Sequence, residues 1–127
     1  MELRDIARVL AAGRVGLGLV FALAPGPAGE RLWLGPDARR RPVKLAMRAL
    51  GGRDVALGLG VLFALGRDAP VRGWLEAAAL ADGVDTVATL LAGDSIPEGA
   101  RRGALLVAGG SAVGGVLLAR ALGESDA

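Results

Sequence analysis

GALLVAGGSAVGGVLLA, residues 103–119, contains no ionisable residue, and Ser111 is its one polar side chain. A helix on the surface of a water-soluble domain needs a polar face, and this stretch has none to offer. About 20 apolar residues are enough for a helix to cross a bilayer. The stretch therefore predicts a membrane-spanning helix.

Three further apolar segments precede it, giving predicted helices at about residues 6–24, 43–66, 71–93 and 103–122. The first three are interrupted by charges. The expected fold is all-α: a single domain over residues 1–127, built as an integral membrane four-helix bundle running up-down-up-down. Residues 25–42, PGPAGERLWLGPDARRRP, contain four prolines and cannot form one continuous helix. Asp68 with Pro70 is expected to open the third helix as cap and first-turn proline. Ser95 and Glu98 have capping-box spacing for the fourth. Trp33 and Trp74 fall near segment ends, where indole rings favour the membrane interface.

Composition agrees with this frame. The 127 residues are 53% hydrophobic with 21 glycines and a mean hydropathy of +0.48. Glycine is disfavoured in water-exposed helices but frequent in spanning ones. No cysteine or histidine is present, so disulfides, thiol chemistry and the usual zinc ligands are excluded. No metal and no cofactor is expected. The net charge is +2, and the arginines collect where apolar runs stop rather than on one polar segment with aromatics. Nucleic acid is therefore not an expected partner. The expected partner is the lipid bilayer, with a second copy of the chain or another membrane protein as a further possibility.

Two rival readings compete with the membrane fold. Ala22-Leu23-Ala24 resembles a signal-peptide cleavage site, but Pro25 follows it at once and Arg14 breaks the apolar core. A soluble four-helix bundle requires a polar face that the fourth segment lacks. The positive-inside rule places loops 25–42 and 94–102 in the cytoplasm of a multi-pass protein of the cell membrane, with both termini outside.

Charge inside these segments is the informative anomaly. Arg53 lies ten residues beyond Val43, about 15 Å along a helix, which is half of a ~30 Å hydrocarbon core. Asp82 lies at a similar depth in the third segment, and Arg14 in the first. A lone charge at the bilayer centre costs roughly 2.5–3.5 kcal/mol, so pairing across helices is the expected remedy: Arg53 with Asp82 or Asp85, and Asp54 with Arg14. Helical periodicity puts Asp82, Asp85, Thr86 and Thr89 on one face. Gly52, Ala56 and Gly60 share an arc with Arg53, where small residues admit a close helix neighbour. Asp54 is turned about 100° from Arg53, poorly placed to neutralise it. In the fourth segment, Gly110 and Gly114 form a GxxxG, readable as packing within the bundle or as a seam between protomers. The glycine runs at 13–18 and 51–60 are not phosphate loops, because no strand precedes them.

AGRVGLG (12–18), APGPAGERLWLG (24–35), RALGGRDVALGLG (48–60) and ADGVDTVATL (81–90) together resemble a family of small, uncharacterised actinobacterial-type integral membrane proteins with four helices. The resemblance implies a compact four-helix membrane unit, broadly DoxX-like, and carries no established activity. Three functions stay open. The charges lock a structural or partner-binding membrane protein. Alternatively, Asp82 and Asp85 form an acid–base pair in an enzyme or binding protein for a lipid-, quinone- or isoprenoid-like ligand, with a lipid-facing cavity. The third is a small proton- or ion-conducting oligomer.

Overall fold

The computed structural model describes residues 1–125, and every regular element among them is helical. Five α-helices follow in order: α1 (Leu3–Leu23), α2 (Pro25–Gly29), α3 (Arg41–Gly66), α4 (Arg72–Ala92) and α5 (Glu98–Ser125). The proline-rich segment between α1 and α3 breaks into three short pieces. These are α2, a π turn over Glu30–Leu34 and a 3-10 turn over Gly35–Arg39. Prolines sit in the first turns of α2, of the 3-10 turn and of α3, where a missing N–H costs nothing.

Two expected caps do not form. Asp68 is not the cap of α4, whose N-cap is Val71. Instead Asp68 sits at φ 51 just past the end of α3, and the Ala69 N–H closes back onto the Ala64 carbonyl at 2.9 Å. This is the left-handed C-terminal turn that usually takes glycine and that aspartate tolerates better than most residues. Its carboxylate accepts a hydrogen bond from Arg4 at 3.2 Å. Ser95 donates to the Ala92 carbonyl at 2.6 Å rather than capping α5. That helix starts at Glu98, ahead of the expected residue 103, and a Glu98–Arg102 pair one turn apart lies along its polar first turn.

Helices α1, α3 and α5 are each long and apolar enough to cross a membrane. Helix α4 matches α1 in length, at 21 residues, but carries Glu76, Asp82 and Asp85. Much of the outer apolar surface is uncovered: Leu23, Leu91 and Leu106 are each more than three-quarters exposed, at 78, 82 and 77%. A monomeric soluble protein rarely leaves contiguous apolar surface on this scale facing water.

The helices associate as two antiparallel pairs. Helices α1 and α3 approach closely enough that backbone meets backbone. A Cβ at Gly18 would lie 2.6 Å from the Gly51 carbonyl oxygen and 2.8 Å from the Val55 nitrogen. Further along, a Cβ at Gly58 would meet the Ala11 carbonyl at 2.8 Å. In the second pair, Gly115 of α5 lies against Ala79 of α4, and Gly109 lies near Thr86. The contact arc on α3 thus differs from the expected one. Gly52 and Ala56 are exposed, with open space around Gly52, and Gly60 meets the Trp74 ring of α4. Gly51 and Gly58 carry the close approach instead, because they share a face with Met47, Asp54, Val61 and Leu65. Among the described residues nothing packs against Gly110 and Gly114: both are exposed with no heavy atom near the place a Cβ would take.

Two apolar clusters close the two ends. One joins Ala7 and Ala11 with Val61, Leu65, Leu75, Leu118 and Leu122. The other joins Phe21, Ala28 and Met47, with Trp33 and Leu50 packed against them. Between these clusters, at the middle of α1, α3 and α4, lie the charges.

Overpacking a filled contact costs about 1–3 kcal/mol. Gly18→Val is therefore expected to lower the unfolding temperature clearly, while Gly52→Val leaves it nearly unchanged. Thermal unfolding of the two purified variants, compared with the parent chain, checks both.

Candidate functional site

Arg14 on α1, Arg53 and Asp54 on α3, and Asp82 and Asp85 on α4 fall at mid-helix in three elements. The packing just described turns them inward. Asp54 belongs to the α3 face that meets α1, so the close approach at Gly51 and Gly58 brings Asp54 within reach of Arg14. The Arg14 Nη1 donates to Asp54 Oδ1 at 3.2 Å. Its Nη2 donates to Asp82 Oδ2 on α4. Arg53 holds Asp85 in a fork, Nη1 donating to Oδ1 at 3.0 Å and Nη2 to Oδ2 at 2.6 Å. The same Nη2 also donates to Asp54 Oδ1 at 3.2 Å. The result is one continuous chain of charge: Asp82, Arg14, Asp54, Arg53, Asp85.

Two details depart from the sequence expectation. Asp54 does contact Arg53, because the long guanidinium arm curls around its own helix despite the 100° separation of the two Cα positions. And Asp82 and Asp85 do not partner each other: among the described residues no hydrogen bond joins them, and each is held by a different arginine. An acid–base pair sharing one proton across a short carboxyl–carboxyl contact is therefore not the arrangement present.

The network is sheltered rather than surface-exposed. Asp54 and Asp82 are buried, at 7 and 6% exposure, and the Arg14 side chain retains 17%. Charges in such surroundings interact more strongly than surface pairs, and removing one partner strands the other.

The two hydroxyls of the α4 stripe serve a different purpose. Thr86 donates to the Asp82 carbonyl and Thr89 to the Asp85 carbonyl, both at 2.7 Å. Each returns its proton one turn back along its own helix, so neither extends the salt-bridge chain. Thr89 Oγ1 also accepts a hydrogen bond from Trp33 Nε1 at 3.0 Å. Trp33 in turn packs against Phe21, with ring centroids 6.3 Å apart. Sequence reasoning placed Trp33 at a segment end but did not anticipate this link. The signal available was an indole N–H near an end, which must find an acceptor once half-buried.

Over the network lies a groove of about 1000 Å³. Its walls come largely from α1 and α5, which leave a gap between them for most of their length. Leu10, Leu17, Leu106 and Val107 line that gap and are themselves exposed. Gly110 and Gly114 give α5 a flat surface along it. Arg14, Asp54, Asp82 and Asp85 form the floor. No group of metal-ligating side chains occurs among the described residues, and apart from the floor carboxylates the groove lining carries the Ser111 hydroxyl. What the geometry can do is hold an apolar body along α1 and α5 with a polar end against the charges.

No protein-family model, no curated protein and no solved structure matches the chain.

The order of the charges makes an unusual prediction. Loss of one partner of a buried pair costs about 3–5 kcal/mol. Arg14→Met strands Asp82 and leaves Asp54 with Arg53 alone, and is expected to destabilise on that scale, with partial rescue by Asp82→Asn. Asp54→Asn is expected to be much milder, because two arginines then face two carboxylates. Unfolding free energies of the four proteins in a double-mutant cycle for Arg14 and Asp82, with Asp54→Asn alongside, measure this. Equal losses for Arg14→Met and Asp54→Asn would contradict it.

Proposed function

We propose that the chain is an integral membrane protein that binds an amphiphilic, apolar-chained molecule in the groove between α1 and α5. In this reading α1, α3, α4 and α5 span the bilayer as an up-down-up-down four-helix bundle. Helix α4 is carried across by the pairing of Asp82 and Asp85, which face the interior rather than lipid, while Glu76 is exposed and pairs with Arg72 in the first turns of the helix. The resemblance of residues 48–60 and 81–90 to small four-helix membrane proteins agrees with that architecture. Loops 25–42 and 94–102 then lie on the cytoplasmic side by the positive-inside rule.

The groove carries the ligand-binding part of this reading. A purely structural lock needs paired charges and a closed centre. Here the charges are paired, yet about 1000 Å³ opens directly above them. Binding pockets are typically concave and mostly apolar, with a few convergent polar groups that orient the ligand. The groove fits that description, and its open side faces where lipid chains would be.

A second reading rests on Gly110 and Gly114. Their empty, flat surface is what a partner helix uses for close approach, so a second copy of the chain or another membrane protein is the alternative occupant. In that case the protein is structural or partner-binding and the charge network only fixes which helix packs on which.

Membrane fractions washed with alkaline carbonate are expected to retain the protein. A chain that stays monodisperse in buffer without detergent would end the membrane reading. Native mass spectrometry from a mild detergent separates the two occupants. A monomer carrying a lipid-sized adduct, reduced by Gly114→Leu, is expected; a dimer without adduct, broken by the same substitution, points to the partner reading.

A further inference from the structure

Five charged side chains line the groove. Arg14, Asp54, Asp82 and Asp85 are tied into the salt-bridge chain. Arg31 is the exception: it is exposed, and among the described residues it makes no hydrogen bond or ion pair. It belongs to the Glu30–Leu34 turn, which packs against α5. Gly35, which follows that turn, sits so close to Pro97 that a Cβ there would lie 2.6 Å from its Cγ, so the turn stands at the start of α5. Gly99 and Gly103 of α5 line this end of the groove, with open space where a Cβ of either would be. We propose that the groove takes an anionic amphiphile, an alkyl chain ending in a phosphate, with the head at Arg31 and the chain running between α1 and α5. This inference rests on the binding reading above and names the chemistry of its ligand.

The distribution of charge along the molecule decides the sign of the head. The end at this turn comprises residues 25–48 and 94–102, where eight basic residues stand against four acidic ones. The opposite end, residues 1–8, 67–76 and 120–125, holds five of each sign. Positive potential is therefore concentrated at the Arg31 end. With Arg31 counted, the groove and its network hold three guanidiniums and three carboxylates, but only Arg14 and Arg53 are paired with those carboxylates. Deeper in, an anion would meet Asp54, Asp82 and Asp85 beside an Arg14 already shared between two of them, so the head stays at Arg31. A guanidinium presents parallel N–H donors that match phosphate oxygens. The chain beyond the head needs no polar partner, and Leu10, Leu17, Leu106 and Val107 line its path. From Gly99 to Gly114, α5 runs about 22 Å at 1.5 Å per residue, more than half of a ~30 Å hydrocarbon core. By the positive-inside rule this end meets the cytoplasmic leaflet, where anionic lipid heads gather.

The test uses the purified full chain in neutral-detergent micelles and three probes of equal chain length: dodecyl phosphate, dodecanol and dodecylamine. Dodecyl phosphate is expected to bind about tenfold more tightly than dodecanol, with dodecylamine weakest, by calorimetry and by the rise in unfolding temperature. Arg31→Gln is expected to abolish the preference for phosphate over alcohol and to leave dodecanol binding unchanged. Arg41 is exposed at the same end and does not line the groove, so Arg41→Gln is expected to keep the preference. Gly110→Leu, which adds bulk in the open groove, is expected to weaken phosphate and alcohol alike. Inorganic phosphate is expected to give no rise in unfolding temperature at concentrations where dodecyl phosphate saturates. Equal binding of the three probes, or a preference that survives Arg31→Gln or is lost equally in Arg41→Gln, overturns the anionic head while leaving a groove that binds apolar chains. Stabilisation by inorganic phosphate equal to that by dodecyl phosphate puts a free anion at Arg31 and overturns the amphiphile. If no probe binds, both the head chemistry and the binding reading fall.

Discussion

The salt-bridge chain Asp82–Arg14–Asp54–Arg53–Asp85 is the interaction on which the arrangement of the helices depends. Apart from it, α1 with α3 and α4 with α5 are two pairs that touch mainly through apolar contacts at their ends. The network crosses between the pairs at the centre: Arg14 reaches from α1 to α4, and Arg53 from α3 to α4. Asp54 ties both arginines together, so the links act as one unit and not as independent bonds. Buried ion pairs are poor sources of net stability but good specifiers of which surface meets which. Here they set the register between two pairs whose remaining contacts, glycine, alanine and leucine, would tolerate sliding.

Small residues and charge cooperate in this. The glycines at 18, 51 and 58 let α1 and α3 approach backbone to backbone, and only at that spacing can Arg14 meet Asp54 across the contact. The same economy of side chains leaves α5 with a bare strip at Gly110 and Gly114. The close packing of one pair and the open groove of the other thus share a cause: with so little side-chain volume, gaps close only where two backbones can meet. Helix α5 meets α4 through Gly109 and Gly115 and has no such partner in α1 along most of its length.

Function, on the reading proposed here, follows from a gap. A charge cluster serving only as a lock needs no open space beside it. Here the network borders a groove of about 1000 Å³, and the surrounding walls suit a hydrocarbon chain.

Much of the element content was legible in the residues alone. Long apolar runs broken by proline and charge mark helices whatever their packing, because backbone groups without water must satisfy each other within the segment. The isolated mid-helix charges announced a cluster for the same reason. Its pairing was only half legible. Periodicity gives the direction of a side chain from its own helix axis, which offered Arg53 either aspartate of α4 and offered Arg14 to Asp54. It cannot give the rotation of one helix against another. That rotation sends Asp82 to Arg14, hands the close contact to Gly51 and Gly58 rather than Gly52 and Ala56, and turns Gly110 and Gly114 toward a groove. The groove itself had no counterpart in any single segment, since a cavity is a property of the space between helices. The sequence by itself determined that helices form and that their buried charges must find one another, because local hydrogen bonding and desolvation act on every residue alike. Only the tertiary structure decided which charges meet and where space is left over, because both depend on how far apart the helix axes come to rest.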